Sequence, residues 1–349
     1  YVKISCCTNF TIIFRIYLKK HLITMCLSYK IILSILPLLT QVFCCSRQNL
    51  IISCGVTLKI ENIENTAEIC SNLIVSGVDI YYKDPKKVIL GTPMDAMHKL
   101  SEFKKLKEEN SNLKILLEVN FFDYIPKNIT TLSSYRSVRN FFWKLYEKYD
   151  VDGIVLYNFQ KKQGLGLFYY VSKVMEEDKK ILWLRLQDEK YRVFEKNDLH
   201  NLFEYVIMDL MNELAEEEDQ FIFPSVVDSA MQQCQKHGFI NSRMLGGIHL
   251  NPILLERSTE ENEEELKLAK ISNHESVRAE IVNMTMVEGK DFLIGTNETH
   301  ILLMENEHTM STKIKYLLKK KIGGLYFENL DNNIEFINKM FYHISLKAT

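Results

Sequence analysis

The pattern of apolar and polar positions divides most of the chain into helices that feed short, nearly continuous apolar strands. In FFWKLYEKY, Phe141, Phe142, Leu145 and Tyr149 recur at helical spacing. They give way to DVDGIVLY, where Val151, Ile154, Val155 and Leu156 make a run with almost no polar alternation. A strand that does not alternate is one covered on both faces, which marks a parallel sheet joined by crossover helices. The unit recurs. Leu50, Ile51 and Ile52 lead to Cys54, and NLIVSGVDI follows Cys70, giving two strands. A lysine-rich amphipathic helix from about Asp95 to Asn110 precedes LKILLEV. Residues 164–178 predict a helix before KILWLRL (Lys180–Leu186), and Leu202–Leu214 holds another apolar run. Ser225–Asn251 reads as an amphipathic helix ending at Gly238, a turn and a strand, and STKIKYLLKKKIGGLYF repeats the unit near the end. The acidic STEENEEELKLAK between the last two units reads as a solvated loop or helix start, and Lys319 to Lys321 as a solvated helix end.

Composition fits this class. The chain has 349 residues, 46% hydrophobic and 25% charged, with a net charge of -2. It can bury a large core and accommodate an α/β barrel, which takes about 250 residues. The charge balance gives no footprint for nucleic acid. After residue 60 no second long apolar run suggests a transmembrane domain. No cofactor or metal is implied. Residues 1–24 begin without Met and fit no domain. In residues 25–45, Lys30 precedes IILSILPLL, followed by Cys44, Cys45 and Ser46; this predicts a secretory signal peptide, its apolar run being shorter than the ~20 residues of a span. Residues 46–349 are then an extracellular folded domain, with no membrane segment beyond the signal. Secretion gives meaning to the sequons at Asn128, Asn283 and Asn297. It also makes disulfides possible among Cys45, Cys54, Cys70 and Cys234, although spacing leaves open whether Cys54 and Cys70 are paired or are two buried thiols.

The stretch from Tyr149 to Gln160 resembles the fourth-strand signature of the family 18 glycoside hydrolases, the chitinases, D-G-x-D-x-D-W-E. Asp152 and Gly153 match it, but Val155 and Tyr157 stand at the second and third Asp, and Phe159 stands at the Glu. Lys114 to Phe122 resembles K-x-L-L-S-x-G-G-W, with Glu118 for the Ser, Asn120 and Phe121 for the glycines, and Phe122 for the Trp. Leu202–Leu214 resembles the sixth strand, M-x-Y-D, where Met208 or Asp209 matches part of the motif. Gly246 or Gly247 fits the seventh unit, with His249 near its end. In the last unit, Lys313 or Lys315, Tyr316, Gly323, Gly324 and Asp331 fit, and Glu328 replaces the Trp. The resemblance spans roughly residues 49–338 in barrel order.

It implies a (β/α)8 TIM barrel with a short or degenerate α+β insertion at about 256–299, between strands seven and eight. Any site then lies at the C-terminal ends of the strands. It also implies a Cys54–Cys70 disulfide. In this family a protonated Glu gives its proton to the leaving oxygen while an Asp orients the substrate's acetamido group. Val, Tyr and Phe cannot take over that acid chemistry, since a phenol titrates near 10. The expectation is a secreted chitinase-like pseudoenzyme that binds chitin or N-acetylglucosamine oligosaccharides. Its candidate ligand residues are Phe121, Phe122, Tyr157, Phe159, Asp209, His249, Phe327 and Glu328. The alternatives are a signalling or scaffold protein with an extracellular protein partner, and a hydrolase whose acid has moved to Glu118, Asp209 or Glu328.

Overall fold

The computed structural model describes residues 50–60, 70–84, 87–90, 97–122, 132–157, 164–186, 199–210, 223–258, 265–271, 277, 281–289 and 291–333. The signal-peptide segment, Cys45, Asn128 and Phe159 lie outside the described residues.

Eight parallel strands form the core: β1 (Ile51–Thr57), β2 (Asn72–Asp84), β4 (Lys114–Phe122), β5 (Gly153–Tyr157), β6 (Ile181–Leu186), β7 (Tyr205–Asp209), β8 (Met244–His249) and β14 (Gly324–Glu328). Each pairs with its successor, and β1 pairs in parallel with both β2 and β14, so the sheet closes. A short strand, β3 (Lys87–Leu90), turns back antiparallel on the end of β2. The sequence pattern does not announce it, because Asp84 and Pro85 break the apolar run there.

The helices are α1 (Leu100–Glu109), α2 (Leu132–Tyr149), α3 (Gly164–Glu177), α4 (Phe223–Lys236) and α5 (Glu307–Lys319). Each buries one stripe at helical spacing, as in Leu100, Phe103 and Leu106 of α1 or Val138, Phe142, Leu145, Tyr146 and Tyr149 of α2. The turns after four of the five helices share one device, a residue in left-handed conformation: Asp150 after α2, Lys179 after α3, Gly238 after α4 and Lys321 after α5. Helix α5 starts at a capping box between Asn306 and Thr309.

Inside the barrel, inward residues stack in layers, as strand alternation requires. One layer is apolar and takes a buried residue from seven of the strands: Ile74, Leu116, Val155, Trp183, Ile207, Leu245 and Tyr326, with Ile51 of β1 packed against it. Tyr326 reaches across to Gly55 of β1, where an added Cβ would collide with the phenol ring. Cys54 and Cys70 form a disulfide, their Cα atoms 6.0 Å apart, tying β1 to the start of β2. Cys234 is a buried free thiol in α4.

Between β8 and α5 the chain builds a five-stranded antiparallel sheet from β9 (Ile253–Ser258), β10 (Glu265–Ile271), β11 (Thr285–Glu288), β12 (Leu293–Thr296) and β13 (His300–Met304). The end of the acidic run is therefore a strand, and the loop or helix start read from its charge does not form there: Glu265–Ile271 pairs along β9. Leu266 and Leu268 alternate at the strand period, and this outweighs the charge pattern. Lys313 of α5 helps hold this sheet to the barrel. Its ammonium lies 2.5 Å from buried Glu305 and 3.5 Å from the ring centre of Phe292.

Candidate functional site at the barrel mouth

Two residues beyond the apolar layer, toward the C-terminal ends of the strands, the inward positions become polar. Leu116 is followed by Glu118, Val155 by Tyr157, Trp183 by Arg185, Ile207 by Asp209, Leu245 by Gly247 and Tyr326 by Glu328. Arg185 is the centre of this layer. Its Nη1 donates to Glu118 at 2.9 Å, and its Nη2 donates to Asp209 at 2.9 Å and lies 2.7 Å from Glu328. The guanidinium lies 4.5 Å from the ring centre of Tyr157 and 5.2 Å from that of Tyr326. Arg185 suits this place because a planar fork with five donors can serve several carboxylates and stack on aromatic rings together.

The electrostatics follow from this geometry. Burial pushes the Glu118 carboxyl above its ordinary range, only partly offset by Arg185 and reinforced by Glu328 and Asp209. For Glu328 burial acts in the same direction, but the charge of Arg185 and the contact with His249 override it and hold the carboxyl at about 2. Burial raises the Tyr157 phenol to about 12, which removes it as an acid near neutrality. Arg185 remains charged; desolvation opposes its charge, and the three carboxylates more than compensate.

His249 sits at the end of β8 with Nδ1 3.1 Å from Glu328. Asn120, one inward position beyond Glu118, donates from Nδ2 to Asp79 of β2 at 3.3 Å. Among the described residues, Arg185 Nε, His249 Nε2 and Asn120 Oδ1 are buried without a hydrogen-bond partner.

The residues singled out from sequence separate clearly. Tyr157, Asp209, His249 and Glu328 meet in the mouth, and Glu118 joins them. Phe327 does not: it is fully buried and alternates to the opposite face from Tyr326 and Glu328, behind the strand. The side chains of Phe121 and Phe122, and all of Phe159, lie outside the described residues. Asp152 is remote from the mouth, at the N-terminal end of β5. It accepts from Ile115 N at 2.9 Å and from Lys107 Nζ at 3.0 Å, locking β5 to β4 and α1. Asp331, whose carboxylate takes both the backbone N–H and the hydroxyl of Thr57, closes the far side in the same way. Arg185, Tyr326 and Asp79 escape the sequence reading, and Asn120 enters it only as a replacement for a family glycine. The available signal was Arg185 itself, the one charged residue in the apolar strand ILWLRL (Ile181–Leu186), which demands buried partners.

No protein-family model matches the sequence, and no curated protein matches it. Solved structures do. A group IV chitinase of Ostrinia furnacalis superposes with a TM-score of 0.67 at 11% identity, covering 84% of this chain and 100% of that one. The fold is that of the family 18 glycoside hydrolases. Human YKL-39, described as a pseudo-chitinase with retained chitooligosaccharide binding, superposes at 0.65 with 14% identity over 83% of this chain and 96% of its own. A family 18 N-acetylglucosaminidase of Paenibacillus barengoltzii does so at 0.64 with 12% identity, over 84% and 99%. Laid on this chitinase-like barrel, Val155 lies in the apolar layer, and Tyr157 stacks on Arg185 in the layer above.

Proposed function

We propose that this protein is a secreted, chitinase-like carbohydrate-binding protein that holds N-acetylglucosamine-type oligosaccharides at the barrel mouth without hydrolysing them. The observation that carries this reading is the Arg185 guanidinium bridging Glu118, Asp209 and Glu328. A glycosidase of this fold needs a protonated carboxyl free to reach the leaving oxygen. Here Val155 and Tyr157 occupy motif positions where the family has Asp, and Phe159 the position of the Glu. The carboxylates Glu118, Asp209 and Glu328 in turn are all held by the single guanidinium of Arg185.

Binding is supported by what remains. A buried ring of carboxylates, amide, imidazole and phenol presents polar groups in the place where barrels of this fold hold ligands, and convergent polar groups among aromatic rings suit a sugar. YKL-39 retains chitooligosaccharide binding as a pseudo-chitinase of the same fold, which supports the same division in this chain. The Cys54–Cys70 disulfide fits an oxidising compartment and so supports secretion. Asn283 is exposed in a turn and Asn297 lies at the β12–β13 turn, positions open to glycosylation.

The test is retention of the purified chain on chitin, run beside turnover of a chitooligosaccharide reporter. Retention without turnover is expected. Turnover would overturn the non-hydrolytic reading. Failure to be retained would overturn sugar binding and leave a protein partner as the reading to pursue.

A further inference from the structure

The five-stranded sheet has two edges, and only one carries charge along its length. The strand β10 at one edge reads ELKLAKI, with Glu265, Lys267 and Lys270 spread through it. Charged side chains, lysine above all, guard an edge whose backbone groups would otherwise pair with another chain. The strand β11 at the other edge reads TMVE, where Glu288 at the end is the one charge, and among the described residues no strand pairs along its outer side. An apolar row runs out at this edge. Ile253 of β9 pairs with Leu303, Leu303 with Ile294, and Ile294 with Val287 of β11. Ile253 and Leu303 are buried, whereas Val287 is 57% exposed and Val282, just ahead of the strand, is 81% exposed. A strand of a second molecule laid along β11 would find backbone groups to pair with and an apolar row to extend.

A separate observation, the sequon, says what covers it. Asn283-Met-Thr285 overlaps the edge: Thr285 is the first residue of β11, and Asn283 is exposed in the turn before it, about 7 Å of extended chain away. The sulfurs of Met284 and Met286 turn inward against Gly295. The apolar side chains left outside are Val282 and Val287, one on either side of the sequon.

We infer that an N-linked glycan on Asn283 guards this edge, covering Val282 and Val287 and keeping the strand of a second copy off β11; this rests on the secreted reading and is independent of what the barrel mouth binds. Such a glycan is bulky and hydrated, which suits it to mask a short strand that has almost no charge of its own. The link forms as the Asn283 amide nitrogen attacks the anomeric carbon of a lipid-diphosphate-linked oligosaccharide; the nitrogen loses a proton and the lipid diphosphate leaves. Charge guards one edge of the sheet and sugar the other.

The experiment is secretion of the full chain from a glycosylating eukaryotic cell line, with occupancy of Asn283 read by peptide mass spectrometry and mass in solution by light scattering. The wild type is compared with Asn283→Gln, with Asn283→Gln plus Val287→Lys, and with Asn297→Asp, which removes the other described sequon but keeps the acceptor that Asn297 offers to Thr299 and His300. The wild type and Asn297→Asp should be monomers. Asn283→Gln should associate to at least twice the monomer mass, and Val287→Lys should return it to the monomer by placing a charge on the edge. Should Asn283→Gln not be secreted, enzymatic removal of the glycans from the folded wild type, beside the same treatment of Val287→Lys, carries the test. An unoccupied Asn283, a wild type that associates with its glycan in place, a deglycosylated monomer, or association that Val287→Lys leaves unchanged overturns the inference and leaves the sugar-binding reading in place. A chain that does not enter the secretory pathway overturns the inference and the secreted reading together, and chitin retention still tests the mouth.

Discussion

Arg185 Nη2 lies 2.7 Å from the Glu328 carboxylate, joining the fifth and eighth strands of the barrel across its mouth. These residues are remote in sequence, and the same guanidinium reaches Glu118 and Asp209 on two further strands. One side chain therefore sets the charge, the shape and the chemical capacity of the site.

Arg185→Met should destabilise the protein by roughly 3–5 kcal/mol, because it leaves buried carboxylates uncompensated. Chemical denaturation measures this directly. The loss should be smaller at low pH, where the carboxylates protonate and the missing cation no longer matters.

Glu328 gives a defined pH window. Its carboxyl is held at about 2 in the folded state, below its ordinary 4.5. Its contribution to stability is therefore present above about pH 5 and is lost as the pH falls through 2. Comparing unfolding free energies of the wild type and Glu328→Gln across that range should show the difference between them shrinking as the pH drops. Glu118 works in the opposite sense: its carboxyl is raised, so its contribution is complete below the ordinary value and is lost as the pH rises.

Asp152 matches the family motif in sequence, yet its contacts are structural. Asp152→Ala removes the acceptor of Ile115 N and the partner of Lys107. It should cost about 1.5–3 kcal/mol in denaturation while leaving ligand affinity unchanged in a titration. A loss of affinity at unchanged stability would place Asp152 in the site.

Restoring the family motif with Val155→Asp, Tyr157→Asp and Phe159→Glu together should not restore hydrolysis. The Arg185 guanidinium, 4.5 Å from the Tyr157 ring, would capture a carboxylate introduced at 157 and hold it ionised. A reporter assay on this triple variant, with and without Arg185→Met, reads the outcome. Activity in the triple variant alone would show that Arg185 does not block the chemistry.

The barrel was legible in the sequence because its signal is local: Val151 to Leu156 and the matching runs read as buried strands, and the stripes of α1 and α2 read as helices facing them. The carboxylates of the mouth were legible one at a time, as Glu118, Asp209 and Glu328. Their convergence on Arg185 was not, since it depends on register between strands whose contacting residues lie 24 (Asp209) and 67 (Glu118) positions from Arg185, and farther still for Glu328. Phe327 looked like a sugar platform because an aromatic near a strand end gives no sign of which face it takes; its neighbours Tyr326 and Glu328 take the inner one. The strand in the acidic run was hidden by charge, with only Leu266 and Leu268 to mark the alternation.

The most direct measurement of the central claim is one calorimetric titration with the N-acetylglucosamine tetramer, in which binding and hydrolysis give different signals. The account predicts a heat that saturates with each addition spent, and no sustained heat flow afterwards. Sustained heat flow with shortening of the tetramer would show an active hydrolase, and the absence of any binding heat would show that the mouth takes no such sugar.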